Sequence, residues 1–397
     1  MSDAVRIDLN ADEDRFSRFR LISWWDQGRL NKARALVIGT GALGNEIIKN
    51  LALLGVGQLF VADLDKIEES NLSRSVLFRT TDCGHSKARV AAARARDIYP
   101  GMQVQEFVGN IVYDLGLGVY RWADVIIGGL DNREARVAIN QAAAKVGKPW
   151  IDGAIERLEG VARVFDPATG PCYECTMSEI DWKMLAARRS CALLSRAEMS
   201  QGRTPTTPTT SSVIAGIQVQ EAVKLLHGLT PLSGQGFVFD GVNHQSYLTT
   251  YTRLADCPSH DAMTHITPLP WKASNTTAGA LLEQVRADLG PHAVVDLNHD
   301  LLASLSCATC NMTFPHFASL GAVTEAEGHC PRCGADCTPN IYHTIDADAP
   351  LDKTLAELGV PAWDIVTGRA GDQLRHYEFA GDRDQVLGPL AACGDQT

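Results

Sequence analysis

Three Cys-x-x-Cys pairs carry the most specific chemistry in this 397-residue sequence: Cys172 with Cys175, Cys307 with Cys310, and Cys330 with Cys333. Nineteen residues separate the last two pairs. At that spacing two short loops bring four thiolates around one ion, the pattern of a Zn²⁺ ribbon. A redox-pair reading is weaker, because no thioredoxin-like pattern surrounds either pair. Cys337 is near enough in sequence to be an alternative ligand. Cys172 and Cys175 follow Gly170-Pro171, a turn that suits a zinc knuckle, and supply half of a tetrahedral site. The chain has eleven cysteines, an odd number, and no apolar signal core in Met1–Asn10. Clustered pairs in such a chain read as metal sites before disulfides, and a cytoplasmic location is expected.

A second constellation surrounds the glycine loop Gly39-Thr40-Gly41-Ala42-Leu43-Gly44. Loops of this kind, after a strand and before a helix, let backbone N–H groups approach a phosphate at a helix N-terminus. Asp63 lies nineteen residues beyond Gly44, a spacing that suits a ribose contact. Taken alone, these features fit an NAD-type fold or a purely structural turn. The polar run from Asp63 to Arg74 then places Asn71 and Arg74 near the sheet edge, and Lys87 follows in Gly84-His85-Ser86-Lys87. A phosphate site that adds Arg and Lys suits a triphosphate better than a dinucleotide. Asp131, at the end of the strand expected over Asp124–Leu130, is placed to hold Mg²⁺ against those phosphates. Asn71, Arg74 or Lys87 alone would read as a solvated surface residue; their combination argues for a site.

The elements that must position these residues alternate. Strands are expected over Arg34–Gly39, Gln58–Asp63, Asp124–Leu130 and Trp150–Ile155, with helices over Asn45–Leu54 and Asn132–Val146. Such alternation predicts an α/β fold, a doubly wound, mostly parallel sheet covered on both faces. Further strands are expected at Gly160–Asp166 and Gly236–Asp240. The Thr/Pro tract Arg203–Ser212 breaks structure before a helix over Val213–His227. Residues 263–275 read as a linker between an ATP-binding unit (1–262) and a small zinc-ribbon unit (276–397). That second unit should hold a helix at Thr277–Leu289 and strands at Ala293–Leu297 and Ile341–Ile345. Composition agrees with a globular protein of two domains: 45% apolar, 21% charged, and a net charge of −11 that disfavours bulk nucleic-acid binding. No apolar run reaches the length of a membrane span.

The chain resembles the ThiF/MoeB superfamily, which includes the ubiquitin-activating enzymes. The matching pieces are Arg15-Phe16-Ser17-Arg18, the glycine loop, Asp63-Leu64-Asp65, Ser70-Asn71-Leu72-Ser73-Arg74, Gly84-His85-Ser86-Lys87, Leu130-Asp131-Asn132 and Cys172-Tyr173-Glu174-Cys175. The helix ending Ala222-Val223-Lys224-Leu225-Leu226 extends the match, which spans about residues 10–262. The resemblance implies MgATP-dependent adenylation of the C-terminal glycine of a ubiquitin-like protein. It implies that Gly39, Gly41, Gly44, Asp63 and Asp65 line the nucleotide, that Asn71, Arg74 and Lys87 contact phosphates, and that Asp131 binds Mg²⁺. Arg18 matches an arginine that reaches the partner subunit's ATP in homodimeric members, so a homodimer is expected. Ser75 departs from the glutamine many members carry there. Where members complete the knuckle with a second Cys-x-x-Cys, this chain has Cys257-Pro258-Ser259-His260, implying a Cys₃His site of Cys172, Cys175, Cys257 and His260.

Cys191, in Arg188-Arg189-Ser190-Cys191, lies in the 176–212 segment where activating members carry the cysteine that takes the carrier as a thioester. The neighbouring arginines favour a thiolate; a buried free cysteine is the plain alternative. The Pro208-Thr209-Thr210 stretch resembles eukaryotic activating enzymes, especially the short ufmylation-type one. The preferred expectation is therefore adenylation, thioester formation on Cys191 and transfer to a conjugating enzyme. The main alternative is a sulfur-carrier adenylyltransferase for molybdopterin or thiamine synthesis. A degenerate nucleotide-sensing scaffold and a dehydrogenase are the remaining readings. In the C-terminal unit, Leu355–Thr367 is expected either to expose Trp363 and Ile365 as a docking surface or to form small-domain core. On the docking reading, deleting residues after Asn275 weakens transfer to a carrier and spares adenylation.

Overall fold

The computed structural model describes residues 13–168, 170–183, 205–320, 323 and 326–393. Cys191 lies outside them. The first half is one eight-stranded sheet with strand order β3-β2-β1-β4-β5-β6-β7-β8. Its strands are β1 (Arg34–Ile38), β2 (Gln58–Ala62), β3 (Gln103–Phe107), β4 (Val125–Gly128), β5 (Trp150–Glu156), β6 (Glu159–Phe165), β7 (Gln235–Asp240) and β8 (Gln245–Thr250). The first five pair in parallel and the last three antiparallel.

Both faces of the parallel part are covered, and strand alternation shows how. Ala35 and Val37 of β1 pack into one core with helices α1 (Gln27–Lys32), α2 (Ala42–Leu54) and α3 (Lys87–Ile98). Leu36 and Ile38 point the other way, into a core with α4 (Leu117–Trp122) and α5 (Arg133–Lys145). Local chemistry sets the helix ends. The Asn132 side chain accepts the Ala135 N–H as the α5 N-cap, and Gly55 in the left-handed region ends α2. Helix α6 (Pro208–His227) starts earlier than expected, inside the Thr/Pro tract. Thr207 caps it and Pro208 occupies its first turn, where the missing N–H costs nothing.

The second sheet has six strands: β9 (Ile266–Leu269), β10 (Val294–Cys307), β11 (Met312–Ser319), β12 (Thr338–Ile345), β13 (Ile365–Ala370) and β14 (Gln373–Phe379). Helix α7 (Ala278–Leu289), capped by Thr277, packs against it. The 263–275 stretch contributes β9, which pairs in parallel with β14, so it belongs to the second sheet and is not structureless chain.

Trp363 and Ile365 are buried, at 3% and 0% exposure, and form no exposed docking surface. They join Leu387 and Leu390 in the core that contains Leu117, Tyr120 and Val137 of the first sheet's α4–α5 face. The Leu117 N–H donates to Asp364 at 2.9 Å, and the Gly118 N–H donates to the Trp363 carbonyl at 3.0 Å. Gly118 is required there, because a Cβ would sit 2.5 Å from the Trp363 ring. Trp363 Nε1 donates to Glu378, which also pairs with Arg121. Among the described residues no helix is long and apolar enough to cross a membrane.

Candidate functional site

In a parallel sheet of order 3-2-1-4-5, ligands bind beyond the carboxyl ends of the strands where the order reverses, here between β1 and β4. The glycine loop leaves β1 at that point and opens α2. Gly39 and Gly44 are dictated by contact distance. A Cβ on Gly44 would lie 1.9 Å from the Gly39 carbonyl oxygen, and one on Gly39 would lie 2.6 Å from the carbonyl oxygen of Gly129. Gly39 also has φ +87°. Gly41 has open space around its Cβ position, so it is free for a close-lying ligand. Gly129 was not singled out from sequence. Its Cβ would meet the Gly44 nitrogen at 2.8 Å, so it locks the end of β4 to the loop. Asn45 was also missed. Fully buried, it donates to the carbonyls of Thr40 and Gly41 and accepts the Leu77 N–H at 2.8 Å. An asparagine one residue past the glycine loop, at the head of an apolar helix, was the available signal.

Asp63 follows β2 and accepts the Thr40 N–H at 2.7 Å and the Thr40 hydroxyl at 2.8 Å. Its other oxygen accepts the Asp65 N–H. Burial pushes the Asp63 carboxyl above the usual range, against the Lys87 ammonium and the N–H groups of Asp65 and Thr40. Lys87, the first residue of α3, bonds Asp65 at 2.9 Å. Asn71 is nearly buried, and its side chain accepts the Glu68 N–H at 3.0 Å. Arg74 is half-buried and donates to the Ser70 carbonyl at 2.7 Å. Ser75 is buried beside it. The Leu77–Asn45 bond ties this polar segment to the glycine loop. Asp131 is exposed past β4, in a turn that continues into the Asn132 cap of α5.

The structure thus brings Asp63, Asp65, Lys87 and the Asp131 turn to one edge with the glycine loop. Arg18 is elsewhere within the chain. Two residues before it, the Phe16 ring covers Gly55 at the far end of α2, about 20 Å along that helix from the loop.

Both expected metal-type clusters come together, the ribbon set predicted by spacing and the knuckle set implied by the resemblance. Cys172 lies 3.7 Å from Cys175 and 3.5 Å from Cys257, sulfur to sulfur, and Cys175 lies 3.2 Å from His260 Nε2. Arg253 holds the two loops together by donating to the Gly170 carbonyl at 2.7 Å. In the second sheet, Cys307 lies 3.6 Å from Cys333 and Cys330 lies 4.0 Å from Cys310. Each set gathers its four donor atoms within 4.8 Å. Four ligands at Zn–S distances of about 2.3 Å stand roughly 3.8 Å apart, so both donor sets fit a tetrahedral zinc. Cys337 is buried next to the second set.

A family model described as the ThiF family matches residues 14–259. The chain belongs to the ThiF family. It is 32% identical over 238 residues to a sulfur carrier protein adenylyltransferase of Thermus thermophilus, covering 58% of this chain and 83% of that protein. It is 32% identical over 266 residues to a SAMP-activating enzyme E1 of Haloferax volcanii, covering 64% and 91%. It is 40% identical over 157 residues to the NEDD8-activating enzyme E1 catalytic subunit of Arabidopsis thaliana, covering 36% and 34%. The fold is shared with E. coli MccB solved with ATP, at TM-score 0.53 and 20% identity over 64% of this chain and 75% of that one. As a ThiF family member with relatives named adenylyltransferases and activating enzymes, this chain is supported as an ATP-dependent adenylyltransferase.

Proposed function

We propose that this chain adenylates the C-terminal glycine of a ubiquitin-like or sulfur-carrier protein. The observation that carries the reading is the glycine loop at the β1/β4 switch point with Asp63, Lys87 and Asp131 around it. The carrier's terminal carboxylate oxygen forms a bond to the α-phosphorus of ATP, and the bond to the bridging oxygen breaks, releasing pyrophosphate. Mg²⁺, held by Asp131, would neutralise phosphate charge. Asn71, Arg74 and Lys87 supply donors to the phosphates, and Asp63 and Asp65 hold the ribose side. The placement of Arg18 at the far end of α2 supports a homodimer in which it reaches the partner subunit's nucleotide.

The finer reading is an activating enzyme. The Cys191 thiol attacks the acyl carbon, AMP leaves, the thiol proton passes to solvent, and the carrier moves on to a conjugating enzyme in the cytoplasm. The relative named as a sulfur carrier protein adenylyltransferase supports the other route, in which no thioester is obligatory. We read residues 1–262 as the adenylation unit and 276–397 as the ribbon unit, with the joining stretch 263–275 adding β9 to the second sheet. The test is pyrophosphate exchange into ATP with a carrier ending in glycine, for wild type and Cys191→Ala. Exchange retained by Cys191→Ala, with loss of a reductant-sensitive adduct, is expected. Exchange without any adduct in wild type favours the sulfur route, and an adduct surviving Cys191→Ala moves the acceptor to another thiol such as exposed Cys83.

Both cysteine clusters are assigned Zn²⁺. Metal analysis of the purified chain should return about two zinc ions, and Cys310→Ser about one. Wild type without zinc, or Cys310→Ser retaining both ions, contradicts the assignment.

A further inference from the structure

A buried ion-paired cluster lies directly behind the Asp131 turn. Asp152 of β5 is fully buried. One of its oxygens accepts Arg136 Nε at 2.9 Å and the other accepts Arg163 Nε at 3.0 Å. Burial alone would raise the Asp152 carboxyl, but the two guanidinium groups outweigh it and hold the group below its ordinary range. Arg136, in the first turn of α5, is 8% exposed and does more than pair with Asp152. Its terminal nitrogen donates to the Leu130 carbonyl at 2.6 Å and to the Gly153 carbonyl at 3.0 Å. Leu130 immediately precedes Asp131, and Asn132 caps α5 on the other side. The turn carrying Asp131 is therefore pinned at both ends, once by a helix cap and once by a charged side chain fixed to a neighbouring strand. Arg163 shares Asp152 from β6 and lies over the Tyr173 ring at 5.1 Å. Among the described residues it makes no hydrogen bond to the turn.

We propose that Arg136 is a positioning residue for the divalent cation: its bond to the Leu130 carbonyl fixes where Asp131 presents its carboxylate to metal-bound ATP. This rests on the nucleotide reading given above. Groups that orient a ligand are worth about 10–100-fold in metal affinity. A guanidinium suits the site because its Nε meets the carboxylate while a separate terminal nitrogen in the same rigid plane meets the two carbonyls, a span that a single ammonium nitrogen does not cover. Arg163 provides the control, because it shares the same buried carboxylate without touching the turn.

The test is Mn²⁺ titration followed by electron paramagnetic resonance, on the full chain with a non-hydrolysable ATP analogue. Wild type, R136K and R163K are compared, with thermal melts of each. R136Q is run in parallel and read the same way, since its shorter amide cannot hold both Asp152 and the Leu130 carbonyl. R136K should weaken Mn²⁺ binding about tenfold, and R163K by less than about twofold. Unchanged Mn²⁺ affinity in a folded Arg136 variant overturns the proposal. So does an equal loss in R163K, which would mark the effect as general loosening of the fold. Wild type that binds no Mn²⁺ with the analogue defeats the nucleotide reading itself, and the proposal with it.

Discussion

Asp131→Asn should lower carrier-dependent pyrophosphate exchange by about 10²–10³-fold while leaving the fold intact. Asp131 is exposed, and among the described residues its side chain accepts only a long 3.4 Å bond from Asn132. Such a surface change moves stability by no more than about 0.5 kcal/mol. The chemistry is more exposed to the loss. A carboxylate approaching the α-phosphate brings like charges together, and the site must offset them with a cation and fixed donors. Asparagine keeps the shape and an acceptor oxygen but removes the charge proposed to hold Mg²⁺, and a bound cation is worth several kcal/mol in the transition state. Paired exchange assays and melting curves check both halves. Exchange within about threefold of wild type would show that Asp131 does not hold the metal.

Truncation after Asn275 should destabilise the nucleotide-binding half, contrary to the expectation that it spares adenylation. The cut removes Trp363, Ile365, Leu387 and Leu390 from the core shared with α4 and α5. It strips the Leu117 N–H of Asp364 and Arg121 of Glu378. Each large apolar side chain contributes roughly 1.5–3 kcal/mol on burial, so four approach about 6–12 kcal/mol. That is comparable to the whole stability of a typical domain, about 5–15 kcal/mol. The fragment is expected to be insoluble or to melt far below the full chain. A fragment melting with the full chain would mean that the shared core contributes little.

Much of this arrangement was legible in the residues. Strand–glycine–helix at Arg34–Leu54, the helix starts near Asn132 and Thr277, and the ribbon-ligand spacings depend on local chemistry, and local chemistry is what a sequence displays directly. His260 as a fourth ligand was visible only through the resemblance, which expects a second Cys-x-x-Cys at Cys257–His260. Long-range coverage was harder to read. The apolar segment around Trp363 announces burial without saying against what, and the covering surface lies some 240 residues away in α4. Strand β9 is four residues long and contains Pro268, so only its partner β14 reveals it. Arg136 and Asp152 are charged types that sequence reading assigns to solvent, and only their sixteen-residue pairing across α5 and β5 explains their burial. Gly129 was hidden inside a strand-like run, because its requirement comes from the loop it touches.

The central claim is that this chain activates a carrier protein's C-terminus with ATP. Mass spectrometry of the carrier after incubation with the protein and MgATP tests it most directly. A carrier ending in glycine should gain one adenylyl group, with pyrophosphate released in step, and a carrier lacking that glycine should gain nothing. Pyrophosphate release without any acyl-adenylate or thioester on the carrier, or modification independent of its terminal glycine, would contradict the account.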